Sequence, residues 1–363
     1  MAIALLSFCI WVYLFSAHGK FWASSPELTP AVPDHCPDVD VIVPARDEAP
    51  TIAAVVGSLL AQDYGGNLRV TLVDDNSTDD TARLAGTAAH LQILRLTSKP
   101  DGWSGKLWAL SQGLAATRAP IVLFADADIV HDPRHVSTLV AKMLTARLGM
   151  VSEMVHLNCD SLAERALIPA FIYFFQMLYP FARVNDARSK VAAAAGGTVL
   201  IRRDVLARIG GLEAISATLI DDVALARAVK KVDGIFLGHS GLARSIRPSP
   251  RFADIWRMIA RTAFTQLKFS SMLLAATLAG LALIWWVPVW AAAFGSDIDR
   301  AFGVSACVLA AISYQPTLRR YRRNPLWALG LPLIALFYMS ATAGSAVNHW
   351  RGAGAQWKRR SYG

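Results

Sequence analysis

Two aspartates one residue apart, Asp126 and Asp128, stand at the end of the apolar run VLFADADIV (Val122–Val130). An apolar run that ends in carboxylates is typical of a buried strand that carries negative charge to its tip. Two carboxylates at this spacing can both reach one divalent cation, and Mg²⁺ and Mn²⁺ prefer such oxygen ligands. The pair therefore predicts a site for Mn²⁺ or Mg²⁺, which in turn can hold a diphosphate.

Acids also follow two other apolar runs, and these runs alternate with helical patterns between about residues 39 and 238. The alternation predicts an α/β fold with a mostly parallel sheet covered by helices on both faces. In such sheets ligands bind outside the carboxyl ends of the strands, where these acids would meet. The acids are Asp47 and Glu48 after the first run and Asp74 and Asp75 at the end of the second. The predicted strands are 39–45, 69–75, 91–96 and 121–128, and the predicted helices are 51–62, 77–89, with a capping box at Ser77 and Asp80, and 105–117.

The composition predicts a membrane protein with a water-facing middle part. Of the 363 residues 54% are hydrophobic, the mean hydropathy is +0.37, and charges are scarce over long stretches near both ends. The net charge of +9 can be read as a contact with nucleic acid or with anionic lipid. Basic clusters beside apolar segments, such as RRYRR (319–323), favour lipid, so we predict a membrane partner and no nucleic acid.

Four apolar segments are candidates for membrane contact. Met1–Phe15 has no basic residue ahead of it, unlike a secretory signal, and predicts an N-terminal anchor. Ser271–Phe294 and Pro325–Val347 are long enough to span a bilayer, whereas Ala301–Pro316 between them is short. The predicted divisions are an anchor over 1–22, an interfacial helix over 251–270, transmembrane segments over 271–347 and a basic tail over 348–363.

Flanking charges predict the orientation of these segments. The arginines of the 319–323 cluster place that loop in the cytoplasm, and counting spans then puts the middle domain in the cytoplasm as well. The basic tail WKRRSYG (357–363) conflicts with this count, so one C-terminal segment is either re-entrant or interfacial. A further apolar stretch, 167–182, is either a buried core helix or an interfacial helix that dips into the leaflet.

Six motifs in a fixed order resemble a known family. They are VDVIVPARDEAPTI, VDDNSTDDT, GWSGKLWALSQGL, FADAD, GGTVLIRRDVLARIGG and LIDDVALARAVKK. The set is similar to the inverting glycosyltransferases of family 2, which have the GT-A fold, over about residues 39–238. GWSGK followed by DAD, with apolar spans at both ends, resembles most the ceramide-glucosyltransferase-like branch and its bacterial hopanoid-associated members. The resemblance implies a GT-A domain at 38–250, multi-pass anchoring in a bacterial inner membrane, and a catalytic domain facing the cytoplasm.

The resemblance also implies roles for particular residues. The donor would be bound by Pro44, Ala45, Arg46, Glu48, Asp75, Lys106, Asp126, Gly197 and Arg261. The metal ligands would be Asp128, Asp126 and His239, and the catalytic residues would be Asp222, as the general base, and Asp221. Gly196 and Thr198 would line the sugar beside Gly197, whereas His131 is expected in an exposed loop.

Sugar transfer requires these residue types independently of any family. An acceptor hydroxyl loses a proton as it attacks the anomeric carbon, and a carboxylate can accept that proton. The leaving nucleoside diphosphate gains charge that a divalent ion neutralises. Capping of a helix N-terminus is the alternative for Asp221 and Asp222, and the nearby DAD motif favours catalysis.

One departure from the family pattern concerns chain extension. Processive members carry the motif Q-x-x-R-W. Here Arg261 matches the arginine, but Met258 replaces the glutamine and Thr262 replaces the tryptophan. We therefore predict a membrane-bound, metal-dependent enzyme that moves one sugar from a UDP-sugar to a lipid hydroxyl, on a hopanoid or a ceramide-like acceptor. The alternatives are a polyprenyl-phosphate sugar transferase and a non-catalytic sugar-nucleotide-binding membrane subunit. Arg202, Arg203 and Arg247 could serve the acceptor phosphate of the former.

Overall fold

The computed structural model describes residues 1–352, 355–357 and 360–362 of the chain. Two compact units can be distinguished in it. The first, here called the sheet unit, is formed by residues 25–158 and 183–248. The second, here called the helical unit, includes residues 1–24, 159–182 and 249–352. Lys358 and Arg359 of the predicted basic tail lie outside the described residues.

The sheet unit contains one eight-stranded mixed sheet, which confirms the predicted α/β class. The strands lie in the order β3-β2-β1-β4-β7-β6-β8-β5. The first four are parallel, whereas β7 is antiparallel to β4 and β6, and β5 is antiparallel to β8. Their bounds are β1 (Val39–Ala45), β2 (Leu68–Asp74), β3 (Leu91–Arg95), β4 (Ile121–Ala125), β5 (Ile129–His131), β6 (Met150–His156), β7 (Thr198–Arg202) and β8 (Ile235–Ser245).

Helices of both units are numbered together along the chain. They are α1 (Ala2–Ser16), α2 (Ile52–Leu60), α3 (Thr81–Leu84), α4 (Gly105–Ala116), α5 (His135–Thr145), α6 (Leu162–Leu178), α7 (Phe181–Asn185), α8 (Arg203–Arg208), α9 (Asp221–Val229), α10 (Phe252–Ala260), α11 (Ala263–Gln266), α12 (Ser271–Trp285), α13 (Val287–Phe294), α14 (Asp297–Arg320) and α15 (Leu331–Trp350). Short 3-10 helices occur at Phe21–Ala23, Leu212–Ile215 and Pro325–Gly330, and two short strands, β9 (Ala355–Trp357) and β10 (Arg360–Tyr362), pair near the C-terminus.

β1 is the central strand of the parallel half, and all seven of its residues are buried. Its valines and isoleucine suit a strand that is covered on both faces. Asp40 is the one charged residue in it, and its carboxylate accepts hydrogen bonds from the backbone N–H groups of Arg118 (2.8 Å) and Ala119 (2.6 Å). These bonds offset the cost of burying the charge and tie the start of β4 to β1.

β1 and β4 separate toward their carboxyl ends. Their pairing ends at Ile42 with Phe124, while β1 continues beside β2 to Ala45. The Ala45 carbonyl accepts a hydrogen bond from the Asp75 N–H on the β2 side. The backbone nitrogen of Pro44 therefore faces the β4 side, where the pairing has already ended. Because no hydrogen bond is needed there, the absence of an N–H group on proline costs nothing. Because β2 lies on one side of β1 and β4 on the other, this is the switch point at which open α/β sheets bind ligands.

The loops after β1 and β2 are tied together at this switch point. The Asp47 N–H donates to the Ser77 hydroxyl (3.0 Å), and the Thr78 N–H donates to the Asp47 carboxylate (2.7 Å). The predicted capping box at Ser77 is therefore wrong, because these polar side chains bond to the neighbouring loop. The predicted helix 77–89 shrinks to the four residues of α3 for the same reason.

The helical unit contains three helical stretches that are long and apolar enough to cross a membrane. They are Ser271–Phe294, Asp297–Arg320 and Pro325–Trp350. The middle one was predicted to be short, and this was wrong because its charged ends continue the helix by four residues on each side of the apolar part. α1 is apolar but has only 15 residues, and the predicted 251–270 helix is divided into α10 and α11.

α6 covers most of the predicted apolar segment 167–182 and belongs to the helical unit. Tyr173 is fully buried, and its hydroxyl lies 2.7 Å from the Ser313 hydroxyl of α14. Tyr338 of α15 donates a hydrogen bond to the Leu167 carbonyl at 2.9 Å. α6 thus contributes buried side chains to the core of the helical unit, and an interfacial role for the segment stays a prediction.

Candidate active site

Lys106 joins two groups of acids beyond the end of β4. Lys106 is the second residue of α4, a helix whose N-terminus is capped by the Ser104 hydroxyl. Its ammonium group lies 2.9 Å from the Asp126 carboxylate and 3.3 Å from that of Asp221. It also donates a hydrogen bond to the Gly196 carbonyl (3.3 Å). One cation thus connects the DAD turn, the start of α9 and the segment before β7.

Asp222 occupies the first turn of α9 and points toward the same segment. One of its carboxylate oxygens accepts a hydrogen bond from the Gly196 N–H at 2.9 Å, and the other accepts one from the Val223 N–H at 2.7 Å. The N-cap position itself is Ile220, and the Val223 N–H belongs to the first turn of α9. Asp222 thus contributes to the helix N-terminus and is also held by the Gly196 N–H beside Lys106.

Burial raises the pKa of Asp222 to about 7, and Asp221 contributes to the rise while Lys106 opposes it. For Lys106, burial alone would lower the pKa, but Asp126 and Asp221 reverse this and keep the amine charged. A carboxyl group with a pKa near neutrality can accept a proton at the pH at which cells work. The arrangement thus has the property required of a general base.

We expect kcat/KM to rise with pH through about 7. Below its pKa, Asp222 carries a proton and cannot accept another, so activity should fall about tenfold per pH unit on the acid side. The measurement is sugar transfer between pH 5.5 and 9 at saturating divalent cation. A profile that stays flat down to pH 5.5 would contradict the assignment of Asp222.

A second cluster lies where β1 and β2 end. Arg46 donates a hydrogen bond to the Asp75 carbonyl at 2.7 Å, and its guanidinium lies 3.9 Å from the Asp75 carboxylate. The Asp75 side chain is 1% exposed. The structure thus brings together Ala45, Arg46 and Asp75, three of the residues that the sequence resemblance assigned to nucleotide binding.

Asp128 has a different partner from Asp126. The Arg247 side chain, which follows β8, donates from Nε to the Asp128 carboxylate (2.6 Å) and from Nη2 to both carboxylate oxygens of Glu48 (2.6 Å each). Thr51 also donates to the Glu48 carbonyl at 3.2 Å. Each aspartate of the DAD motif therefore has its own cation, Lys106 or Arg247.

The two aspartates supply oxygen ligands that suit a divalent ion, but too few to complete its coordination. Their hard oxygens already attract positive charge, as both ion pairs show. Among the described residues, however, no group of three or more His, Cys, Asp or Glu side chains is placed to hold a metal ion. Mg²⁺ and Mn²⁺ sites with only one or two carboxylates are completed by substrate phosphates and water. The residues thus fit a metal that binds together with a phosphorylated ligand.

Known proteins resemble this chain in sequence and in fold. Residues 40–210 match the model of glycosyl transferase family 2. A glucosyl-3-phosphoglycerate synthase of Mycolicibacterium paratuberculosis is 32% identical over 176 residues, which are 47% of each chain. An N-acetylglucosaminyltransferase of Azorhizobium caulinodans is 33% identical over 117 residues, 32% of this chain and 30% of the relative. The chain spans about half or less of the length of these relatives.

Among solved structures, a mannosyltransferase of Pyrobaculum calidifontis in complex with GDP-Man and Mn²⁺ has a TM-score of 0.59 with 22% identity. The likeness covers 94% of this chain and 99% of that one. The sheet unit has the GT-A fold. Within this unit, Arg247 connects an acid after β1 to an acid after β4, so the acids that follow these strands lie at one edge of the sheet.

Two predicted roles, those of His239 and Arg261, stay predictions. His239 is buried within β8, and among the described residues no group of three or more His, Cys, Asp or Glu side chains is placed to hold a metal ion. Arg261 directly follows α10 in the helical unit, where it is exposed, and its role toward a diphosphate also stays a prediction.

Of the remaining sequence candidates, some lie beside the DAD turn and others lie at the opposite end of β4. Gly197 is in place, because its carbonyl accepts a hydrogen bond from the Asp126 N–H at 3.1 Å. Arg203 donates to the Ala119 carbonyl (2.7 Å), at the opposite end of β4 from the DAD turn, and Arg202 pairs with Asp204. Of the three arginines suggested for an acceptor phosphate, only Arg247 therefore lies at the crevice.

One histidine prediction was wrong. His131 is buried rather than exposed, and its Nδ1 lies 3.1 Å from Nδ1 of His135, which in turn contacts the Glu153 carboxylate. Burial lowers the pKa of His131 well below its usual range, with His135 adding to the effect. Its place in β5, with the side chain against α5, explains the burial, and neither feature has a signature in the local sequence.

Proposed function

We propose that this protein is an inverting glycosyltransferase that moves one sugar from a UDP-sugar to the hydroxyl group of a membrane lipid, on a hopanoid or a ceramide-like acceptor. The observation that carries the proposal is the convergence of Asp126, Lys106, Asp221 and Asp222 at one end of the sheet. The match of residues 40–210 to glycosyl transferase family 2 and the names of the relatives support the reaction class.

The chain's own residues would divide the work as follows. Arg46 and Asp75 would bind the nucleobase, since a buried carboxylate beside the β1 loop can accept the N–H of a uracil edge. Lys106 would face the diphosphate and the sugar, and its charge opposes the rise that burial causes in the pKa of Asp126. Asp126 and Asp128 would hold a divalent ion, which neutralises the charge of a leaving diphosphate when bound.

Asp222 would act as the general base. The Gly196 N–H fixes one of its oxygens, and its raised pKa lets it accept the proton of an attacking hydroxyl group. Attack on the face of the anomeric carbon opposite the leaving diphosphate needs one such base and no second nucleophile. A single displacement of this kind inverts the anomeric configuration.

A lipid acceptor is supported by the composition of the helical unit. Three of its helical stretches are apolar and long enough to cross a membrane. α10 buries Ile255 and Ile259 on one face and exposes Phe252 and Arg257 elsewhere, as an interfacial helix would. We propose that this unit holds the protein in a bacterial inner membrane, with the sheet unit on the cytoplasmic side.

The chemical stability of the product tests the acceptor. Radiolabelled sugar should move from the donor into an organic-soluble product when purified protein is given Mn²⁺ and extracted bacterial lipid. A glycoside of a lipid hydroxyl survives mild acid, whereas a sugar linked to polyprenyl phosphate is released. An acid-stable product supports the proposal, and an acid-labile one would assign the protein to the polyprenyl-phosphate transferases instead.

A further inference from the structure

Arg247 makes a bridge between two loops that follow different strands. Its Nε donates to Asp128, in the turn after β4, and its Nη2 donates to Glu48, in the loop after β1. A backbone hydrogen bond supports this bridge, because the N–H of the neighbouring Ile246 donates to the Asp128 carbonyl at 2.9 Å. A single side chain thus closes the two sides of the switch point.

The bridge is firmly charged yet still reached by solvent. The Arg247 side chain is 42% exposed, while those of Glu48 and Asp128 are 9% and 17% exposed. Burial alone would lower the pKa of Arg247, but the two carboxylates raise it, so the guanidinium remains a cation. Among the described residues nothing accepts a hydrogen bond from its Nη1, which leaves two donors unused.

The position of Nε matters for any cation that enters the site. The Arg247 Nε lies 2.6 Å from one oxygen of the Asp128 carboxylate and neutralises the charge that would attract a divalent ion. A metal ion that approaches the same carboxylate is repelled by the guanidinium, so the two cations compete for Asp128. Glu48 holds Arg247 by a separate nitrogen, so that Nε can release Asp128 while the side chain stays attached to the crevice.

We propose that Arg247 is a displaceable counter-ion of the DAD motif, which occupies Asp128 in the donor-free protein and moves to the donor diphosphate when a divalent ion and the nucleotide bind. The freed Nε and the unused Nη1 are N–H donors that can each bind a phosphate oxygen. The inference rests on the proposed function, because it assumes a nucleoside diphosphate in the crevice. It explains why Asp128 is paired with a cation in the donor-free protein and predicts that metal and nucleotide bind together.

The test measures metal binding and nucleotide binding separately, with Arg247→Gln as the variant. Without nucleotide, removing the competing charge should tighten Mn²⁺ binding about tenfold, measured by loss of the free Mn²⁺ signal in electron paramagnetic resonance. At saturating Mn²⁺, the same variant should bind UDP about tenfold more weakly, because a phosphate contact is lost. The two changes have opposite signs, which neither a purely structural residue nor a simple phosphate ligand would produce.

Two further variants make the result specific. Arg244→Gln removes an exposed arginine from the end of β8 and should change neither affinity. Arg247→Lys keeps the charge without the fork, so Mn²⁺ binding should stay near wild type while UDP binding weakens. Unchanged Mn²⁺ affinity in Arg247→Gln, or weaker binding of both ligands, would overturn the inference.

The same measurements separate this inference from the proposed function. Wild-type protein that binds Mn²⁺ and UDP, with no split in Arg247→Gln, would reject the counter-ion and leave the glycosyltransferase standing. Wild-type protein that binds no UDP, GDP or dTDP at any Mn²⁺ concentration would reject both.

Discussion

Asp222→Asn is expected to lower kcat by about 10² to 10⁴-fold while the affinity for the nucleotide-sugar changes by less than about threefold. The amide keeps the shape of the carboxylate and can still accept the hydrogen bond of the Gly196 N–H. It cannot take up a proton from an attacking hydroxyl group. The loss should therefore fall on the chemical step and leave binding nearly unchanged, which steady-state kinetics and donor titration measure together.

The matched control for this variant is Asp204→Asn. Asp204 is an exposed acid of α8 that pairs with Arg202, and its amide should leave both kcat and donor affinity unchanged. Equal kcat of Asp222→Asn and wild type would contradict the assignment of Asp222 as the general base. Donor binding without sugar transfer in both proteins would favour the non-catalytic binding subunit.

Lys106→Gln is expected to lower kcat/KM by about 10²-fold, the equivalent of about 3 kcal/mol, because a charged group with several partners is lost. The variant should also move the acid limb of the pH profile upward. Lys106 lowers the pKa of Asp222, so its removal raises that pKa further above 7 and a higher pH is needed to deprotonate the base. The pH dependence of kcat/KM measures both effects.

Lys231→Gln is the control for Lys106→Gln, since Lys231 is an exposed lysine just after α9. It should alter neither the rate nor the pH profile. A lower rate in Lys106→Gln with an unmoved acid limb would mean that Lys106 binds the donor but does not set the charge of Asp222. The electrostatic link between the two sides of the crevice would then be wrong.

The parallel half of the sheet could be predicted closely from the sequence, and the rest could not. β1 was predicted to the residue, because a central strand buried on both faces is a continuous apolar run ended by a polar residue, here Arg46. β4 ends earlier than predicted, at Ala125, because the chain then turns, with the Ile129 N–H donating to the Asp126 carbonyl at 3.2 Å. The antiparallel insertion of β7 between β4 and β6 depends on contacts between distant residues and has no local signal.

In the candidate site, the acids could be predicted from the sequence, whereas their hydrogen-bond partners could not. Paired acids after apolar strands are visible in the sequence, and the resemblance named Lys106 and Asp222 as well. The partners of these acids depend on long-range approach: Arg247 is 119 residues from Asp128 and 199 from Glu48 along the chain.

The most direct test of the central claim is nucleotide release from a panel of UDP-, GDP- and dTDP-sugars by purified protein in detergent. The account predicts that one donor, expected to be a UDP-sugar, releases its nucleotide in the presence of Mn²⁺. Extracted bacterial lipid should increase the rate, and Asp222→Asn should abolish the increase. Binding of a nucleotide-sugar without release from any donor, with lipid and Mn²⁺ present, would contradict the claim that the crevice transfers sugar.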